Sequence, residues 1–248
     1  LETTNALNLV PHNAIYVLEA ENPVESWRTF SNSNFWQFLK NHPYLKELTE
    51  DADYLDELMQ ENKTALEFLG NRNFYMSAHM TAYNDYDYLV FVDLKNAAII
   101  NLTSLPWKRM LGDDYTVKNI TYQEAELVQI ADKESNDNLY LTQIKNYLVC
   151  SYTKELVTTC IDQQDTAFLS HNTKFKEAYT RSSSRGLAQL YVQYDLLDEY
   201  LGVYTKGNEE NLQLLSNAFS FTALDMNLND ENALLEGYTS LPDSIALY

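Results

Sequence analysis

The sequence predicts an α+β fold: a mostly antiparallel sheet with helices packed largely on one face, built from two unequal copies of a strand, helix and hairpin unit. Three observations predict it. The hydrophobic period drops from about 3.6 to 2 after Gly70, short strand-like runs follow one another as far as Tyr152, and the opening strand-to-helix unit recurs near Leu190. Short strands in immediate succession pair as antiparallel neighbours, because a tight turn is enough to join them. The 248 residues read as one domain with an internal pseudo-repeat: a first copy over about 11–122, connecting strands and helices over about 123–185, and a second copy over about 186–248.

In chain order, Ile15-Tyr-Val-Leu-Glu-Ala20 reads as a strand running into a helix. Asn22 offers an N-cap oxygen, Pro23 suits the first helical position, and Glu25 sits where a carboxylate reaches back to the cap. Short helices are expected at Asn34–Leu39 and Tyr44–Leu48, and a longer amphipathic one at Asp53–Leu69, ended by Gly70. Asn73–Met80 and Asp87–Leu94 form an expected hairpin around Tyr83-Asn-Asp-Tyr86. Thr116–Tyr122, Ala125–Ala131, Leu139–Lys145 and Tyr147–Tyr152 are further strands, with Lys133–Asn138 as a turn. Helices are expected at Lys154–Asp162 and near Phe175–Tyr179, and Ser182-Ser-Ser-Arg-Gly186 is the best hinge candidate. In the second copy Leu190-Tyr-Val matches Ile15-Tyr-Val, and Asp195 with Asp198 takes the place of the Asn22 and Glu25 pair. Moving Phe74 onto Phe219 without a gap lays Ser77-Ala78 on Thr222-Ala223 and Leu89-Val90 on Leu234-Leu235.

Composition excludes several functions. A net charge of -19, from 17 basic and 36 acidic residues, repels phosphate backbones and anionic headgroups, so no nucleic-acid partner is expected. No apolar run approaches the length of a membrane-spanning helix, so direct membrane insertion of this segment is not expected either. The chain opens on Leu1 without Met and ends on Leu241–Tyr248 without a terminal helix; a longer natural protein, of which this is a fragment, is the expectation. Cys150 and Cys160 fit no redox or zinc motif and read first as buried free thiols, second as one strand-to-helix disulfide.

Candidate chemistry is sparse. His12, His42, His79 and His171 have no pair at metal-ligand spacing, no Gly-x-Ser-x-Gly is present, and no two glycines are spaced to cradle a phosphate. No catalytic residue, metal site or cofactor is therefore assigned, and the chain leans towards a non-enzyme. Glu19 and Glu21 would share one side of a strand, as paired carboxylates in glycoside hydrolysis require, yet the second copy has Gln193 and Tyr194 there and keeps no such pair. Tyr83, Tyr86 and Tyr88 around the first hairpin turn are the candidate ligand-binding residues, because a phenol joins a large apolar face to a polar tip; half-buried strand tyrosines are the plainer reading. Asn62-Lys-Thr, Asn101-Leu-Thr and Asn119-Ile-Thr have the N-glycosylation form, and Asp165-Thr-Ala and Asp243-Ser-Ile resemble a bacterial O-glycosylation acceptor; chance matches are common.

Leu9-Val-Pro-His-Asn-Ala-Ile-Tyr-Val17, Trp27, Ser33-Asn-Phe-Trp36, the Tyr191 and Leu196 unit, and Leu234-Leu-Glu-Gly-Tyr-Thr239 together resemble an uncharacterised bacterial family of membrane-anchored or secreted proteins. The resemblance implies an N-terminal anchor preceding this segment and a periplasmic or cell-surface location. It supplies no catalytic residues. The functional expectation is a non-enzymatic, extracytoplasmic interaction or structural module of a bacterial envelope protein, with an envelope protein or glycan as partner. The alternative is a carbohydrate- or ligand-binding domain, carbohydrate-active in one version, that uses the tyrosines and a carboxylate pair.

Overall fold

The computed structural model describes residues 4–42, 49, 70, 72–95, 101–162, 168–182, 186–204, 209–228 and 232–243. The helices expected at Tyr44–Leu48 and Asp53–Leu69, most of the serine hinge, and the Asn62 and Asp165 triplets lie outside these residues.

Among the described residues, ten strands form one antiparallel sheet: β1 (Tyr16–Ala20), β2 (Phe74–Ala82), β3 (Asp85–Asp93), β4 (Tyr115–Tyr122), β5 (Ala125–Asp132), β6 (Asn138–Ile144), β7 (Tyr147–Ser151), β8 (Ala188–Gln193), β9 (Phe221–Leu228) and β10 (Ala233–Ser240). Their order is β10-β9-β8-β1-β2-β3-β7-β6-β5-β4, so β1 and β8 meet in the interior of the sheet. The described helices are α1 (Pro23–Ser31), α2 (Asn34–Lys40), α3 (Trp107–Leu111), α4 (Lys154–Asp162), α5 (Thr173–Arg181), α6 (Leu197–Tyr204) and α7 (Glu209–Ala218). The mostly antiparallel α+β architecture is as the sequence predicts, and α4 has the expected bounds.

Few glycines leave the turns to other residues. Asn84, Gln123 and Lys145, each at a hairpin turn, hold φ of 61°, 51° and 53°, the left-handed region that costs a non-glycine residue about 1–2 kcal/mol. Gly237 is different. A Cβ there would stand 1.8 Å from the Ala223 carbonyl oxygen, so only glycine permits the approach of β10 to β9.

Alternation along the strands gives the sheet two unlike faces. Val17, Tyr75, Leu89, Phe91, Val149, Leu127, Tyr191 and Ala223 share the face that holds the main core. Leu156, Val157, Cys160 and Ile161 of α4, Phe175 and Ala178 of α5, and Ala6, Leu7, Leu9 and Val10 near the N-terminus complete that core. Phe175 meets the Tyr191 and Phe221 rings edge-on at 5.5 and 5.8 Å. Arg181 lies over the Tyr238 ring at 4.5 Å and Tyr238 donates to Glu177, which ties α5 to the outermost strand. A second, smaller core on the opposite face joins Val128, Ile130 and Leu141 to Leu102, Trp107 and Leu111.

Both expected caps are altered. Asn22 precedes α1 and Pro23 opens it, but at φ -131° and ψ 74° the Asn22 side chain caps nothing; its carbonyl accepts from Ser26 N at 2.9 Å instead. Those angles lie outside the extended conformation that aims an N-cap side chain back at the first turn. Asp195 lies inside a 3-10 turn, Tyr194–Leu196, ahead of α6, so it is not the helix cap. Register tracks the matched segments in part. Tyr16 faces Ala78 and Tyr191 faces Ala223, but Tyr238, not the Ala233 that a gapless shift of Tyr88 gives, faces Ala223. Cys150 and Cys160 are free thiols, and burial pushes Cys150 up to about 12.

Candidate functional site

Glu19 and Glu21 separate at the end of β1. Glu21 lies just past the strand and is exposed, whereas Glu19 points into the main core face. Its neighbours are cross-strand partners: Tyr75 lies directly opposite on β2 and Gln189 directly opposite on β8. Tyr75 Oη donates to Glu19 Oε1 at 2.8 Å. Tyr191 Oη lies 2.8 Å from Glu19 Oε2 and 2.7 Å from Gln189 Oε1, and Gln189 Nε2 donates to Asp225 Oδ1 at 2.8 Å. Burial raises the Glu19 carboxyl above its ordinary value against the two phenol hydrogen bonds, and the Glu21 charge adds to the rise. The same burial, with the Glu19 charge, pushes the Tyr75 and Tyr191 phenols far upward. Both oxygens of the half-buried Glu19 carboxyl are taken by phenols and Glu21 lies exposed past the strand, so the arrangement does not present the facing carboxylates of glycoside hydrolysis.

A second buried grouping was not assigned from the sequence. Ser77 and His79 alternate onto the core face of β2, with Ser77 Oγ 2.8 Å from His79 Nε2 and His79 Nδ1 3.2 Å from Asn13 Oδ1. An asparagine carbonyl can only accept, so the imidazole proton sits on Nδ1 and Ser77 donates to Nε2. The order of groups is that of a nucleophile, a base and an orienting residue. Ser77 and His79 are nevertheless 0% exposed. Burial lowers the imidazole from 6.5 to about 4, opposed by a hydrogen bond at the Asn13 backbone and assisted by His12, so the ring is neutral at pH 7. Enclosed in this way, Ser77 and His79 bond to one another, and the bond from His79 to the exposed Asn13 pins the N-terminal segment to the sheet. The signal for it in the sequence is the Ser-x-His spacing on a period-2 strand; Asn13, far away along the chain, carries none.

The three candidate tyrosines divide. Tyr83 stands at the β2–β3 turn, 93% exposed. Tyr86 and Tyr88 are half-buried on the opposite face of the sheet from Glu19, edge-on to one another at 5.5 Å. Tyr200 of α6 meets Tyr86 at 4.9 Å and Tyr16 at 5.5 Å, and the Tyr16 hydroxyl lies 3.3 Å from that of Tyr200 and 3.5 Å from that of Tyr88. The β1/β8 seam thus brings in Tyr16 and Tyr200, which the hairpin sequence alone does not indicate. Four half-buried rings and three converging hydroxyls form an aromatic cluster.

Among the described residues, no three His, Cys, Asp or Glu side chains are placed to hold a metal ion, and no helix is long and apolar enough to cross a membrane. The chain matches no protein-family model, no curated protein and no solved structure. What the site does is therefore argued from its chemistry.

Proposed function

We propose that this chain is a non-enzymatic interaction or structural module of a bacterial envelope protein, working outside the cytoplasm, with its contact surface at the Tyr83 end of the β2–β3 hairpin. The observation that carries this reading is the placement of reactive groups. Ser77 and His79 are buried, the half-buried Glu19 has both carboxyl oxygens taken by phenols, and all are internally hydrogen-bonded, while Tyr83 and the Tyr16, Tyr86, Tyr88 and Tyr200 cluster provide aromatic faces with polar tips. Phenols of this kind suit a glycan or a protein surface, because they bury area at little conformational cost. The extracytoplasmic placement is supported by the family resemblance. The two-copy reading rests on the matched segments and on the pairing of Tyr16 with Ala78 and of Tyr191 with Ala223, although the two pairs lie on opposite faces of the sheet.

A titration with soluble cell-wall glycan fragments and with envelope protein extracts, followed by nuclear magnetic resonance, tests the surface. Binding that shifts Tyr83 and Tyr86 and weakens at least tenfold in Tyr83→Ala, with an unchanged melting curve, is the expected result. Hydrolysis of any glycoside or ester that vanishes on Glu19→Gln or Ser77→Ala overturns the non-enzymatic reading.

A further inference from the structure

The Glu19 cluster has more acceptors than an ionised carboxylate allows. Tyr191 has one phenolic hydrogen, yet its oxygen lies 2.8 Å from Glu19 Oε2 and 2.7 Å from Gln189 Oε1. Both are lengths of full O–H···O bonds, not of two acceptors left facing each other. The Gln189 amide nitrogen is committed to Asp225, which turns Oε1 towards Tyr191 as an acceptor. If Glu19 is ionised, the row Oε2, Oη, Oε1 contains one hydrogen for two contacts. If Glu19 carries a proton on Oε2, every contact is served: Glu19 donates to Tyr191, Tyr191 donates to Gln189, and Gln189 donates to Asp225, while Tyr75 donates to Glu19 Oε1. Further bonds made by Gln189 or Asp225 leave this count unchanged, since they place no hydrogen on either side of the Tyr191 oxygen.

We propose that Glu19 is a neutral carboxylic acid at neutral pH, and that the chain Tyr75, Glu19, Tyr191, Gln189, Asp225 is a proton-dependent clasp across β2, β1, β8 and β9. It is a property of the fold beyond the contact surface proposed above and does not rest on it. Among the described residues, the titratable groups facing Glu19 are Tyr75 from β2, Tyr191 from β8, Tyr147 from β7, Tyr179 from α5, and Glu21 beyond the end of its own strand. None of these is a cation that would hold the carboxylate ionised. When the proton leaves at higher pH, Tyr191 must turn its hydrogen to Glu19, and its oxygen then meets Gln189 Oε1 with no hydrogen between them. The amide can relieve this only by rotating and giving up its bond to Asp225. The joint between β1 and β8 is therefore tightest with the proton bound and loosens as pH rises.

Infrared spectroscopy of the purified chain tests the proposal. A protonated-carboxyl stretching band is expected at pH 7 in the folded protein and is expected to be lost in Glu19→Gln, whose amide can donate to Tyr191 as the acid does. In Gln189→Met the second acceptor is gone, so the band is expected to titrate away at a pH lower by about one unit, the tenfold that a single hydrogen bond supplies. Burial alone would leave that midpoint unmoved. Absence of the band in the folded wild type at neutral pH, its survival in Glu19→Gln, or an unmoved midpoint in Gln189→Met overturns the proposal. The Gln189→Met titration decides if Glu19→Gln fails to fold.

Discussion

His79 makes the acid stability of this protein calculable. The ring is fully enclosed, and burial places its folded-state value near 4, against 6.5 in the unfolded chain. Because the folded value is the lower one, the unfolded chain takes up the proton first, and stability falls as pH drops from 6.5 towards 4. At roughly 1.4 kcal/mol for each tenfold, the drop is worth about 3 kcal/mol, with no reduction for solvent screening at a buried site. That is a large share of the roughly 5–15 kcal/mol that holds a domain together. Urea unfolding followed by tryptophan fluorescence, repeated from pH 7.5 to 4, measures it. The wild type minus His79→Gln difference is expected to shrink by about 3 kcal/mol across that window. Comparing the two proteins at each pH removes the Glu19 contribution, which runs the other way: its folded value is raised, so its stabilisation is complete at low pH and lost as pH rises. A difference that stays flat with pH, or a His79 imidazole resonance titrating near 6.5 in the folded protein, would refute the reasoning.

Two further substitutions probe the backbone. Gly237→Ala places a Cβ 1.8 Å from the Ala223 carbonyl oxygen, so β10 has to part from β9, and a loss above the roughly 1–3 kcal/mol of ordinary overpacking is expected in thermal melts. Lys145→Gly relieves the left-handed φ of 53° at the β6–β7 turn and is expected to raise unfolding stability by about 1 kcal/mol, measured by the same urea titration.

Most of the sheet was legible because each hairpin is local. The period-2 runs from Asn73 to Tyr152 contain their own turns, and β2 to β7 follow them to within two residues. The α4 helix was equally plain from its spacing of Leu156, Val157, Cys160 and Ile161. The pairing of β1 with β8 was not, since nothing local in Ile15–Ala20 specifies a partner so far along the chain. That one pairing also supplies the partners of the candidate residues that no local pattern indicates. Glu19 reads as the terminus of a strand, and β8 supplies Tyr191 beside it and Gln189 opposite it; Tyr86 and Tyr88 are half-buried, as the plainer reading has them, and Tyr16 and Tyr200 complete their cluster. The Asn22 cap failed for a subtler reason, a backbone rotation that residue type does not encode.

The position of β1 has a consequence for how the chain is made. As it leaves the ribosome, β1 can pair with β2 early, but its other edge waits for β8, which is synthesised only after Ser182 and Gly186 have emerged. Until then a strand destined for the middle of the sheet presents a free row of amides and carbonyls, the kind of edge that recruits other chains. The arrival of β8 therefore closes an assembly interval, and interruption of synthesis before Ala188 leaves the nascent chain with that edge of β1 uncovered.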